Sequence, residues 1–113
     1  MADEKDRPLS GIRVLDLTQF LSGPFATQIL ADLGADVIKL EAPGGDHTRT
    51  VPPYFVGGES CYYLSINRNK RCVAVDMKIP EGRALVKKLA LSSDIVMENF
   101  RPGVLDRLGL SAE

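Results

Sequence analysis

With 113 residues, a formal net charge of −1 and 44% hydrophobic residues, the chain has the size and balance of one globular domain. The near-neutral charge gives no electrostatic reason to expect a nucleic-acid partner, and no apolar run approaches the roughly 20 residues that span a membrane. The polar, acidic start MADEKDRP is unlike a secretory signal, and Cys61 and Cys72 have no metal-ligand spacing. We therefore expect reduced thiols and a cytoplasmic location.

The first eight residues predict a disordered leader, and residues 9–113 predict one α/β domain. This domain opens with two apolar runs, residues 12–17 and 37–40, which predict strands. The segment between them has helical spacing of its apolar residues, which we expect to form the buried face: Ala26, Ile29, Leu30 and Leu33. Ser22 is expected to cap this helix and Gly34 to end it in a left-handed conformation. Strand, helix and strand over this length predict a parallel βαβ unit.

Residues 42–60 are so rich in Gly and Pro that we expect a long loop without regular structure. Residues 61–66 could form a strand or a helical turn, and we favour the helical turn. Residues 72–77 (CVAVDM) predict a third strand, apolar and β-branched enough to lie inside a sheet. The remaining predicted elements are a helix beginning at Pro80, a strand over residues 94–98 and a short helix over residues 103–108.

This order of elements predicts an α/β fold, with a parallel sheet and flanking helices. The carboxyl ends of parallel strands meet at one edge of the sheet, where α/β proteins bind ligands. The turns that we expect at this edge follow Leu17, Leu40, Val75 and Glu98. They would form a rim suited to an extended ligand that bears phosphates. Too few helices are predicted to cover both faces of the sheet, so the domain is expected to be truncated at its C-terminus.

The familiar nucleotide-binding motifs are absent: the first turn, TQFLSGP, lacks G-x-G-x-x-G, and no G-x-x-x-x-G-K-[ST] is present. Phosphate binding by backbone N–H groups at Ser22 is still open. The basic run Arg68, Lys70 and Arg71 has two interpretations, a solvated loop or a group of cations that face an anionic cofactor. Lys78, after the third strand, is placed to approach the carboxyl edge.

No residue of the chain is predicted to be catalytic or to bind a metal. His47 has no neighbouring Cys or His and is expected to be a solvated loop residue. Asp16 has no obvious partner base or second carboxylate. Tyr62 and Tyr63 are expected to pack rather than to stack on a ligand.

Three segments carry a family resemblance: PLSGIRVLDLTQFLSGPFATQILADLGADVIKLEAPGGDHTRT, YYLSINRNKRCVAVDMKIPEGRALVKKL and DIVMENFRPGVLDRLGL. In this order they closely resemble the N-terminal part of the family III CoA-transferases, the CaiB/BaiF type. This group includes formyl-CoA, carnitine and dicarboxylate CoA-transferases. The resemblance covers residues 8–110 and implies the Rossmann-like N-terminal portion of that family's fold, in incomplete form.

The resemblance also implies that coenzyme A lies along the carboxyl edge of the sheet. The contact residues that it implies are Leu21, Ser22, Val75, Asp76, Met77, Lys78, Asn99, Phe100, Arg101 and Arg107. Lys78 and Arg107 would bind the phosphates, because charge-assisted hydrogen bonds are stronger than neutral ones. Formyl-CoA transferases have Gln where this chain has Leu21. Some members have a CoA-contacting Arg where this chain has Ala42.

The activity implied by the resemblance is transfer of CoA from an acyl-CoA donor to a carboxylic acid acceptor, through covalent intermediates on an aspartate. In the family this aspartate lies beyond the stretch that matches Glu113, so the 113-residue chain alone is expected to be inactive. The family further implies an interlocked homodimer, no metal, and a mitochondrial location as a possibility for eukaryotic relatives.

Three alternatives accompany this hypothesis: a non-catalytic module that binds CoA or another nucleotide, an acyl-CoA racemase of the same superfamily, and a flavodoxin-like or receiver-like domain. Racemases of the superfamily usually lack the long loop and the run SINRNKR and diverge from NFRPG, so the resemblance favours a transferase over a racemase. A receiver needs an acidic cluster at the strand ends, whereas these ends offer Thr18, Glu41, Met77 and Asn99, with a single acid among them. The receiver is therefore the least favoured.

Overall fold

The computed structural model describes residues 4–111. In chain order its elements are β1 (Arg13–Asp16), α1 (Ser22–Asp32), β2 (Asp36–Glu41), β3 (Phe55–Val56), β4 (Glu59–Ser60), α2 (Cys61–Ile66), β5 (Arg71–Ala74), α3 (Pro80–Leu91), β6 (Ile95–Met97) and α4 (Val104–Arg107). Four of the strands form a parallel sheet in the order β5-β2-β1-β6. The predicted α/β fold with a parallel sheet is confirmed.

The βαβ unit is present, but two details of its helix are wrong in the prediction. Ser22 is the first residue of α1, the capping position falls on Leu21, and no side chain caps the helix. Of the predicted apolar face, Ile29 and Leu33 are 44% and 41% accessible, whereas Ala26 and Leu30 are partly buried. The face that α1 buries instead consists of Pro24, Thr27, Gln28 and Ala31.

Hydrogen bonds explain why polar residues of α1 face the sheet. The Thr27 hydroxyl donates to the Asp16 carboxylate at 2.5 Å, and the Gln28 side-chain oxygen accepts from the Arg68 N–H at 3.2 Å. Buried polar groups with partners are tolerated, so these contacts override the apolar spacing. The end of the helix agrees with the prediction, since Gly34 has a φ of +105°.

The segment of residues 42–60 has more regular structure than its composition predicts. A 3₁₀ helix spans His47–Thr50, where the Asp46 side chain accepts a hydrogen bond from the Thr48 N–H. β3 and β4 form an antiparallel hairpin, with Phe55 opposite Ser60. The expectation of an irregular loop is therefore wrong for these parts, whereas the helix predicted over residues 61–66 is confirmed as α2.

The second half of the sheet adds a strand at each edge. β5 pairs only with β2 in this sheet, so the expectation that it lies inside the sheet is wrong. β6 lies at the other edge beside β1, and its consecutive residues Ile95 and Val96 are 41% and 43% exposed. Consecutive strand residues point to opposite faces of the sheet, so neither face of β6 is fully covered by other elements.

Two apolar clusters lie on the two faces of the central strands. One consists of Val14, Ala31, Ala35 and Val37, beneath α1. The other consists of Leu15, Leu17, Leu40, Val75 and Val86, and partly buried Met77, Phe100 and Leu105 pack against it. The α3 residue Val86 and the α4 residue Leu105 thus join the loops that follow β5 and β6 to one core.

The described residues nearest the N-terminus form a short helical turn. A 3₁₀ helix spans Glu4–Asp6, within the segment that the sequence predicts to be a disordered leader, and the Leu9 N–H donates to the Leu33 carbonyl at 3.0 Å. The part of the leader prediction that concerns residues 1–3 lies outside the described residues.

Candidate functional site

The loops that follow the four parallel strands meet at the carboxyl edge of the sheet. The loop after β1 is tied to the loop after β6 by two hydrogen bonds: the Gln19 N–H donates to the Asn99 Oδ1 at 2.9 Å, and the Asn99 Nδ2 donates to the Gln19 carbonyl at 2.7 Å. After β5, the Val75 N–H donates to the Glu41 carbonyl at the end of β2. These bonds fix the loops relative to one another and give the edge a defined shape.

A cleft of about 390 Å³ opens between the loops that follow β2 and β5. It is lined by Ala42, Pro43, Val75, Asp76, Met77, Lys78 and Leu108. The Asp76 carboxylate accepts from the Lys78 N–H at 2.9 Å, and the Arg83 guanidinium donates to the Lys78 carbonyl at 3.0 Å. The backbone of this loop is therefore held from both sides, while the Lys78 side chain is exposed.

A second cleft, of about 310 Å³, lies at the loop that follows β6. Its lining is Glu98, Phe100, Arg101, Pro102, Gly103, Leu105, Asp106 and Ser111. The Glu98 carboxylate accepts from the Phe100 N–H at 2.7 Å, which turns the chain toward α4. Phe100 packs against the same core cluster as Met77, so the two clefts flank one apolar centre.

The β1–α1 turn, residues 18–24, carries the first two of the predicted contact residues. Leu21 is 55% exposed and Ser22, which begins α1, is exposed as well. Phe20 precedes them with a φ of +65°, and its ring stacks on His47 with centroids 6.1 Å apart. His47 is exposed, as predicted, but this stacking contact with the turn was not foreseen from the sequence.

The predicted contact residues therefore divide by loop. Val75 to Lys78 line the first cleft, Phe100 and Arg101 line the second, and Asn99 joins the second loop to the β1–α1 turn. Arg107 is exposed on α4, next to Leu108 of the first cleft. All ten are placed on loops of the carboxyl edge or on helices that begin there, and their binding of coenzyme A stays a prediction.

The basic run before β5 does not have the role that one interpretation gave it. Arg68 binds Asp32 at 2.6 Å and Arg71 binds Asp36 at 2.7 Å, both on the protein surface. The Lys70 ammonium is fully buried and 3.1 Å from the Asp16 carboxylate, so it cannot face a cofactor in solvent. Because this run leads into β5, which Arg71 begins, its backbone lies at the amino edge of the sheet. The solvated-loop interpretation holds for the two arginines and is wrong for Lys70.

A buried polar network between the sheet and α1 was missed at the sequence level. Lys39 is fully buried and its ammonium lies 2.9 Å from the Asp46 carboxylate, beside the Lys70–Asp16 pair. Asp16 and Lys39 each interrupt an apolar strand. A charge inside a buried strand requires a partner of opposite charge. The positions of Asp16 and Lys39 in apolar strands were therefore the sequence signal for a buried polar network.

The Glu41 carboxylate, at the end of β2, anchors the loop that follows it. It accepts hydrogen bonds from the Arg49 guanidinium at 2.7 and 2.9 Å, from the Tyr63 hydroxyl at 2.7 Å and from the Asp46 N–H at 2.9 Å. Burial by itself raises the pKa of Glu41, but these donors outweigh it and hold the pKa at about 2. The loop that carries Ala42 and Pro43 is thereby fixed at both ends.

Tyr63 is buried as predicted, and its hydroxyl belongs to the same cluster. Burial, together with hydrogen bonds to Cys72 and Glu41, raises the pKa of Tyr63 well above its ordinary value. The Arg49 guanidinium lies 3.9 Å from the centre of the Tyr63 ring, a cation–π contact. Glu41, Arg49 and Tyr63 therefore bind one another within the fold, and these contacts hold the loop that follows β2.

No helix among residues 4–111 combines the length and the apolar character that crossing a membrane requires. Over the same described residues, no group of three or more His, Cys, Asp or Glu side chains is placed to hold a metal ion.

Comparisons with known proteins agree on one family. The model of CoA-transferase family III matches residues 9–113. Human succinyl-CoA:glutarate CoA-transferase is 56% identical over 108 residues, which are 95% of this chain and 25% of the human protein. The succinate–glutarate CoA-transferase of Agrobacterium fabrum is 50% identical over an alignment of 122 positions, which covers all of this chain and 30% of that protein.

Solved structures give the same result. A CaiB/BaiF family protein from Brucella suis superposes with a TM-score of 0.87 at 46% identity, over 93% of this chain and 29% of that one. A hypothetical protein from Mycobacterium tuberculosis gives a TM-score of 0.86 at 45% identity. The chain spans between a quarter and a third of the length of the relatives described here.

The parallel sheet and its helices define the class of the protein, an α/β fold with clefts at its carboxyl edge. The family match extends over nearly the whole chain. The chain belongs to CoA-transferase family III.

Proposed function

We propose that this chain is the coenzyme-A-binding part of a CoA-transferase, which moves CoA from an acyl-CoA donor to a carboxylic acid acceptor. The family membership and the names of the relatives support the reaction class. The observation that carries the proposal is the carboxyl edge itself: the loops after β1, β5 and β6 meet there, around clefts that have exposed cations at their margins. An extended, phosphate-bearing ligand matches that arrangement.

In this proposal each loop contributes a different kind of contact. The exposed Lys78 and Arg107 bind phosphates, where charge-assisted hydrogen bonds are strongest. Backbone groups of residues 75–77 and 99–100 hold the adenosine part, with Arg101 beside them. Leu21 and Ser22 of the β1–α1 turn complete the site.

The chemical step is assigned by the family resemblance to an aspartate outside this chain, which forms covalent intermediates with the acyl group and with CoA. The 113-residue chain alone is therefore expected to bind CoA without transferring it. An interlocked homodimer is proposed for the complete protein on the same resemblance. A cytoplasmic location, or a mitochondrial one in a eukaryote, stays a prediction of the sequence.

The binding proposal is tested by calorimetric titration of the chain with CoA. Lys78→Met and Arg107→Met should each raise the dissociation constant at least about ten-fold, the loss expected for one hydrogen bond to a charged group. Lys88→Met and Arg71→Met are matched controls, because they remove the same charges from exposed positions away from the clefts. Absence of CoA binding by the unaltered chain, or equal losses in test and control variants, would refute the proposal.

Two alternatives are separated from the transferase by other measurements. A non-catalytic CoA-binding module would bind CoA in the test above, yet its coding sequence would not continue past Glu113 to a downstream aspartate. An acyl-CoA racemase would change the stereochemistry of an acyl-CoA without needing a carboxylic acid acceptor. Formation of a new CoA thioester only when an acceptor acid is added selects the transferase.

A further inference from the structure

The Asp16 carboxylate is the centre of a fully buried hydrogen-bonded group at the end of β1. Its Oδ1 accepts from the Thr18 N–H at 2.9 Å and from the Thr18 hydroxyl. Its Oδ2 accepts from the Thr27 hydroxyl at 2.5 Å and from the Lys70 ammonium at 3.1 Å. Asp16 and Lys70 have no exposed side-chain surface, so solvent cannot replace these partners.

The partners of this group lie at both ends of the β1–α1 turn. Thr18 begins the turn, and the Lys70 ammonium also donates to the Pro24 carbonyl, at 2.9 Å, near its end. The Asn67 side-chain oxygen accepts the third hydrogen bond of the Lys70 ammonium, at 2.9 Å. One carboxylate and one ammonium thus tie down the two ends of a segment whose middle, at Leu21, is exposed.

Two further contacts leave the turn little freedom. The Lys39 ammonium donates to the Thr18 carbonyl at 3.3 Å while it pairs with Asp46. A Cβ added at Gly23 would overlap the Thr18 side chain, so the start of α1 packs directly on the start of the turn. The turn is held by buried charges at Thr18 and Pro24 and by steric contact at Gly23.

Stability alone is a weak reason for such an arrangement. Removing two charges from water is costly, and replacement of a buried ion pair by apolar residues of similar volume is often neutral or stabilising. The Asp16–Lys70 pair differs from a general packing element, because most of its hydrogen bonds end on groups of the turn or of α1. The main effect of the pair is therefore to fix the local geometry of the β1–α1 turn.

We propose that Asp16 and Lys70 are positioning residues for coenzyme A, which hold the β1–α1 turn in the shape that Leu21 and Ser22 need to contact the ligand. They act through the turn and do not touch the ligand. This inference rests on the proposed function, because it assigns a role in binding CoA.

The test uses the double variant Asp16→Asn with Lys70→Met, which removes both charges together and leaves no unpaired buried charge. Arg71→Met is the matched control, since it breaks the neighbouring but exposed ion pair with Asp36. Hydrogen exchange of the amides of residues 19–23 and the dissociation constant for CoA are measured on folded protein. We expect exchange about ten-fold faster and binding about ten-fold weaker in the double variant, with neither changed in the control.

A second variant covers the case in which the double variant does not fold. Thr18→Val keeps the size of the side chain and the backbone N–H but removes the hydroxyl that donates to Asp16. It should weaken CoA binding about three-fold or more and accelerate exchange in the same amides. These two effects in Thr18→Val support the inference without the double variant.

The contrary outcomes are distinct. If the unaltered chain binds CoA, and folded variants bind it equally well or exchange at the unaltered rate in residues 19–23, Asp16 and Lys70 are structural only and the inference is wrong. If the unaltered chain does not bind CoA, the proposed function fails first and the inference fails with it.

Discussion

Glu41 provides a prediction in which the structure sets both the size and the pH range of the effect. Its side chain is 5% exposed and accepts hydrogen bonds from Arg49, Tyr63 and the Asp46 N–H. These donors lower the pKa of the Glu41 carboxyl from 4.5 to about 2, in spite of its burial. The perturbation is Glu41→Gln, which keeps the shape of the side chain but removes its charge.

The sign of the effect follows from the lowered pKa. The folded state binds the Glu41 proton less tightly than the unfolded state, so ionised Glu41 stabilises the fold above the unfolded pKa. A difference of one in pKa corresponds to about 1.4 kcal/mol, so the lowering of the Glu41 pKa is worth up to roughly 3 kcal/mol. This stabilisation is present above about pH 5 and is lost as the pH falls toward 2, with somewhat more than half gone by about pH 3.

Urea unfolding between pH 3 and pH 7 measures this contribution. The free energy of unfolding of the unaltered chain should exceed that of Glu41→Gln by about 3 kcal/mol at pH 7. This difference should shrink by more than half at pH 3. Glu59→Gln is the control: Glu59 lies 3.6 Å from the same Arg49 but its side chain is 53% exposed, so its loss should cost less than about 1 kcal/mol. A gap that is independent of pH would show that packing at Glu41, and not its charge, stabilises the loop.

Two packing predictions use the same unfolding measurement. Leu15→Ala should cost about 2–5 kcal/mol, because Leu15 is completely buried in the cluster beneath α3, whereas Leu91→Ala, at a residue 79% exposed, should cost less than about 0.5 kcal/mol. Gly82→Ala should cost about 1–3 kcal/mol, because the new Cβ would overlap the Asp76 carbonyl oxygen. Equal stability of Leu15→Ala and Leu91→Ala, or an unchanged Gly82→Ala, would contradict the packing described.

The elements of the sheet were predictable because apolar runs and helical spacing are local signals. The buried face of α1 was not. Apolar spacing identified Ile29 and Leu33, whereas the helix buries Thr27 and Gln28. The reason lies in partners distant in the chain, since Thr27 binds Asp16 and Gln28 binds the Arg68 N–H. A hydrophobic pattern cannot register such partners.

The β3–β4 hairpin is a different kind of miss, because its signal was local. Gly57 and Gly58, both with positive φ, form the two-residue connection between the paired strands. A Gly-Gly pair between short runs is a recognised hairpin signal. The overall Gly and Pro content of residues 42–60 concealed that pair.

The candidate site was predictable to the extent that it depends on strand direction. The order of parallel strands placed Val75, Asn99 and Ser22 at one edge without any knowledge of tertiary contacts. The position of a lysine ammonium group was not predictable, because the long side chain can extend away from the edge of the sheet where its backbone lies. Lys70 begins before β5 and its ammonium ends beneath the β1–α1 turn, bound to Asp16.

The cations around β5 show how the sheet separates two electrostatic roles. Arg71 begins the strand and Lys78 follows it, and the four residues of β5 carry the chain about 13 Å at 3.3 Å per residue. This distance exceeds the screening length of about 8 Å at physiological ionic strength, so exposed charges at the two edges act almost independently on a ligand. Arg71 is already paired with Asp36, which further limits what it offers to an anion. The phosphate-bearing ligand that we propose for the carboxyl edge would therefore depend on the cations of that edge, and we expect that Arg71 could not compensate for the loss of Lys78.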